Sequence, residues 1–61
     1  MASITSKELG SISDCLTHEQ TLISKLRNYA DTTTDSVLKQ KYEAAVQKHQ
    51  KHFDALYALL K

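Results

Sequence analysis

Apolar residues return along this chain at alternating intervals of three and four, the signature of an α-helical seam that faces a neighbouring helix. In the first half the seam runs Leu9, Ile12, Leu16, Glu19, Ile23, Leu26, Ala30, and in the second half Leu38, Tyr42, Ala45, His49, His52, Leu56, Leu59. Between them lies Asp31-Thr32-Thr33-Thr34-Asp35-Ser36, whose side chains compete for nearby backbone groups and so favour turns and caps. The pattern predicts a first helix over about residues 6–30, a turn at 31–35 and a second helix over about 35–60, as one helical-hairpin domain spanning 1–61. Thr5-Ser6-Lys7-Glu8 has the spacing of a capping box, so the first helix is expected to start near Ser6. A threonine followed by an acid recurs at Thr32-Thr33-Thr34-Asp35 and places the second start between Thr33 and Asp35.

A second row flanks each seam at seven-residue spacing: Cys15, Leu22 and Tyr29 in the first helix, and Val46, Phe53 and Leu60 in the second. Two antiparallel helices cover only a narrow stripe of each other, so a wider apolar face calls for more neighbours. Length points the same way. A chain of 61 residues lies below the roughly 70–80 at which one core suffices, and it needs disulfides, a metal, oligomerisation or exceptional helix packing. With a single cysteine, Cys15, no internal disulfide can form. The expected architecture is therefore all-α: an antiparallel hairpin of two long helices that dimerises about a two-fold axis into a four-helix bundle.

Composition narrows the function classes. Net charge is +1, with 25% charged residues, and the lysines of the second helix (Lys39, Lys41, Lys48, Lys51, Lys61) alternate with Asp35, Glu43 and Asp54. Such a face is solvated and does not favour nucleic acid or an anionic membrane. No apolar run reaches the length of a bilayer span or of a secretory leader core, which predicts a soluble protein, cytoplasmic at synthesis. No phosphate-cradling glycine loop, Ser/His/Asp arrangement or paired general acid and base occurs, so no enzyme is expected. Of Tyr29, Tyr42 and Tyr57 two fall on core or near-core rows, so packing is a simpler reading than a stacking platform; His18 is read as a surface histidine, and Cys15 as a small buried hydrophobe in preference to a metal ligand or redox thiol.

Glu19, His49 and His52 interrupt the two seams. If the turn centres near Thr33, residues whose numbers sum to about 66–69 lie level, which sets Glu19 beside His49 and Leu16 near His52. Polar groups at seam positions are costly unless paired or metal-bound. Two readings stand side by side. The three residues converge on a transition metal (Zn, Fe or Mn), with His49 and His52 at i, i+3 and Glu19 from the facing helix. Alternatively, Glu19 and a histidine form a hydrogen-bonded pair that sets register and partner choice.

The segments "LGSISDCLTHEQTLISKLRNYA" and "LKQKYEAAVQKHQKHFDALYALL", joined by a short polar turn with Asp, resemble the small spore coat protein F-like proteins of spore-forming Firmicutes over about residues 7–60. The resemblance implies a ferritin-like helical fold, association with the spore coat and its other proteins, and no enzymatic activity. Ferritin-like metalloproteins supply a Glu from one helix and Glu-x-x-His from the next. Glu19 and His52 fall where the first Glu and the His belong, but His49 stands where the bridging carboxylate would be. That departure argues against a dinuclear oxidative centre and leaves a mononuclear or vestigial site. The sequence thus predicts a non-enzymatic structural protein acting as a homodimeric bundle, with a metal-binding bundle as the alternative.

Overall fold

The computed structural model describes residues 3–61; the part of the leader reading that rests on Met1 and Ala2 lies outside them. Two helices make up the described fold, α1 (Ser6–Thr32) and α2 (Ser36–Ala58), with no strand among the described residues. At 1.5 Å per residue they are about 40 and 35 Å long, and they lie side by side as a hairpin measuring 47 × 17 × 12 Å. The smallest dimension is the width of one helix, so the hairpin is a single layer.

Local chemistry sets the helix starts. The Glu8 N–H donates to Thr5 Oγ1 at 3.1 Å and the Thr5 N–H donates to Glu8 Oε1 at 3.2 Å, a reciprocal capping box. Hydrogen bonding with the Thr5 side chain, and then with its backbone, holds the Glu8 carboxyl below its usual range. Asp35 caps α2, its Oδ1 accepting from the N–H groups of Val37 at 2.9 Å and Leu38 at 3.1 Å; such a cap contributes about 1 kcal/mol. Thr33 Oγ1 accepts from the Asp35 N–H at 3.2 Å, while the Thr33 N–H returns to the Tyr29 carbonyl, so the three-residue connection has almost no slack.

The helix ends differ from the sequence reading by two residues each. α1 continues to Thr32, whose hydroxyl donates to the Asn28 carbonyl at 2.9 Å and so keeps the threonine inside the last turn. Thr17 and Thr21 are accommodated mid-helix in the same way, through the carbonyls of Ser13 and Thr17. α2 ends at Ala58, where the Leu59 N–H turns back to Leu56 and Tyr57.

The core is a line. Among the described residues only Ile23, Ala30 and Val46 are buried, each on the stripe where the helices touch. Tyr29 and Tyr42 close the turn end, their ring centroids 5.6 Å apart. The remaining seam leucines are half-buried or exposed, and Leu9, Leu38 and Leu59 all stand in water. The flanking row of α1 fares worse than the sequence suggests, whereas Val46, read as a flanking residue of α2, is buried on the contact stripe. Cys15 is exposed, which corrects its reading as a buried hydrophobe: its neighbour on that side would have to be a third helix, and one hairpin has none. Tyr29 and Leu60 are exposed for the same reason. Among the described residues, no helix is long and apolar enough to cross a membrane.

A candidate metal centre on the helix seam

Halfway along the hairpin the apolar seam gives way to three polar side chains. α1 projects Glu19 toward α2, and α2 answers with His49 and, one turn further on, His52. His49 Nδ1 stands 2.6 Å from Glu19 Oε2, and His52 Nδ1 stands 3.8 Å from Oε1. The level arithmetic therefore holds: residues 30 apart in sequence meet where the antiparallel path brings them together. The two imidazoles lie edge to face with centroids 5.5 Å apart.

Exposure grades across the cluster. The side chains of Glu19, His49 and His52 retain 13%, 25% and 50% of their accessible surface. The carboxylate is the most sheltered of the three, His49 covers one of its oxygens, and His52 forms a partly wet rim. One ligand atom from each of the three residues falls within 4.8 Å of the others, the spacing of a potential cation site.

The other residues weighed on sequence grounds stay apart. His18 is exposed on the outer face of α1, as its position one residue off the seam implies. Cys15, one turn before Glu19, lies outside the cluster. Tyr57 is exposed and stacks on Phe53, with the Lys61 ammonium 5.7 Å from its ring centroid.

Along one flank runs a shallow furrow of about 360 Å³, bordered by Gln20, Ser24 and Arg27 of α1 and by Gln50 and Phe53 of α2. It continues toward the turn past Asp31, Glu43 and Gln47. The opposite flank has a different character. There the rows Cys15, Leu22, Tyr29 and Leu38, Ala45, His52, Leu59 run at seven-residue spacing, and His52 is the sole ionisable imidazole among mostly apolar side chains. The sequence pattern sets Leu38, Ala45, His52 and Leu59 in the seam and Val46 and Phe53 in the flanking row, whereas Val46 and Phe53 border the furrow side.

No family model, curated protein or solved structure matches this chain.

Proposed function

We propose that the protein is a non-enzymatic structural module that acts by assembly, two hairpins joining across a two-fold axis into a four-helix bundle. The observation that carries this is unsatisfied surface. A compact monomer of 6.9 kDa exposes about 4000 Å², whereas this chain exposes 4824 Å². The excess of about 800 Å² matches what one partner contributes to a standard protein interface. Shape agrees with area. The radius of gyration is 14.4 Å, against about 10.5 Å for a globular chain of this length.

The flank bearing Leu22, Tyr29, Leu38 and Leu59 is the surface for the second copy, because Tyr29, Leu38 and Leu59 stand exposed there, whereas the opposite flank rims its Ile23 and Phe53 with Gln20, Ser24, Arg27 and Gln50. A second hairpin laid on it supplies the neighbours that the row Cys15, Leu22, Tyr29 lacks, and closed two-fold pairing is the commonest way for a chain to do so. The net charge of +1 offers little repulsion to self-association. The resemblance to spore coat protein F-like proteins gives the bundle a ferritin-like arrangement and a setting in the spore coat.

Sedimentation of the untagged chain tests the reading. We expect a species of twice the 6.9 kDa chain mass, dissociated by Leu22→Glu on the apolar flank and untouched by Arg27→Glu on the polar one. A folded, stable monomer at micromolar concentration would refute assembly. Dissociation by Arg27→Glu alone would move the partner to the other flank.

A further inference from the structure

Setting the register of two helices requires one polar contact, and this hairpin has two on the same carboxylate. The 2.6 Å approach of His49 Nδ1 to Glu19 Oε2 is enough to lock the level at which α1 and α2 meet. His52 is not needed for that. Its side chain is half exposed and has water available, yet its Nδ1 faces Oε1 at 3.8 Å, beyond hydrogen-bonding range. Two imidazoles thus turn the same nitrogen toward the two oxygens of one carboxylate, and one ligand atom from each residue lies within 4.8 Å of the others. A tetrahedral ion with bonds of about 2.0–2.2 Å holds its ligand atoms about 3.3–3.6 Å apart. From the observed positions, His49 needs to open from its 2.6 Å contact by about 1 Å, and ligand atoms standing as far as 4.8 Å apart need to close by about 1.2–1.5 Å, shifts that side-chain torsions of these partly exposed residues supply.

We propose that Glu19, His49 and His52 of a single chain bind one divalent transition cation of the zinc class. Neutral imidazole and carboxylate together suit Zn²⁺ and its first-row neighbours. They do not suit Ca²⁺ or Mg²⁺, which take about six oxygen ligands where this site offers the two of one carboxylate. Three protein ligands leave a fourth position, and the half-exposed edge of His52 places it toward solvent, where water or an exchangeable ligand completes the shell. An open edge makes the site one of reversible loading. Cys15, exposed one turn away, takes no part. The three ligands come from one hairpin alone; because His52 shares the flank proposed for the second copy, assembly there covers the open position and slows exchange without removing a ligand.

The test is calorimetric titration of the chelator-stripped, untagged full chain with ZnCl₂. We expect one ion per chain, retained in Cys15→Ser, with affinity lowered about 100-fold or more in His52→Ala and in Glu19→Gln, since even outer-shell changes at zinc sites cost 10–100-fold. His52 is half exposed, so His52→Ala keeps its helical circular dichroism and isolates ligation from folding. Cobalt loading adds a second readout, the visible absorption of four-coordinate Co²⁺, present in the native chain and lost in His52→Ala. Zinc uptake unchanged in His52→Ala, no uptake at micromolar protein, or calcium uptake equal to that of zinc would each overturn the proposal.

Discussion

The turn-proximal half of the hairpin and its open half are built on one heptad pattern, yet they are closed to different degrees. All three buried side chains, Ile23, Ala30 and Val46, lie between the Glu19–His49 level and the turn. Beyond that level, toward the chain ends, Ile12, Leu16, Phe53 and Leu56 are half-buried, and Leu9 and Leu59 retain about half of their surface, 49% and 51%. The turn makes part of the difference. Its interlocked bonds through Thr33 and Asp35 hold the helices together, and Ala30 is buried beside it. No covalent link holds the open half, and its larger side chains cover one another on one side only. Two helices can bury the line along which they touch; covering the rest takes further helices.

The largest effect that bears on this contrast comes from truncating one side chain in each half. Ile23→Ala leaves a cavity in the closed half and is expected to cost about 2–5 kcal/mol in urea unfolding. Leu9→Ala, with half of its side chain already in water, is expected to cost less than about 1 kcal/mol. Equal costs would erase the distinction between the halves.

Next in size is a substitution that should stabilise. Gly10 sits inside α1 in the open half, and a Cβ built there meets nothing within 4 Å. Gly10→Ala is therefore expected to raise stability by about 0.5–1 kcal/mol, read as a higher Tm. A lower Tm would mean that a second chain packs against the Gly10 backbone, and would carry the assembly surface further toward the open end than the apolar flank requires.

The smallest effect is local to the first turn. The Glu8 carboxyl titrates below its ordinary value of 4.5 in the folded chain, because of its hydrogen bonding with Thr5. A lowered folded value means that the contribution is fully present above the ordinary value and is lost as pH falls through the folded one. Amide exchange at Lys7, Glu8 and Leu9 is expected to lose protection over that acid range while exchange around Ile23 does not change. Thr5→Ala should weaken the acid dependence, because it removes the hydroxyl arm of the box and leaves the residue 5 N–H to donate to Glu8.

Several of these features are legible in the amino-acid sequence. The capping box at Thr5 and Glu8 and the cap at Asp35 are short-range, made by residues two or three apart, so local spacing suffices to read them. The meeting of Glu19 with His49 is legible too, because a tight turn fixes the level of every later pair in an antiparallel hairpin. The exposure of Cys15 is not: a seven-residue row shows that a face is apolar and says nothing about whether a neighbour covers it. The end of α1 lies two residues beyond the sequence reading because a threonine hydroxyl can bond back to the helix it would otherwise terminate.

Sequence by itself determined two helices, a turn of fixed position, the stripe on which they meet and the polar level within it. Each of these follows from backbone periodicity and from side chains reaching their near neighbours. Tertiary structure decided the rest: that three of the described residues alone are buried, that Cys15 and Tyr29 face water, and that His49 and His52 both turn Nδ1 to a single carboxylate. Burial and ligand geometry depend on what stands opposite a side chain, and that is settled only when the second helix is in place.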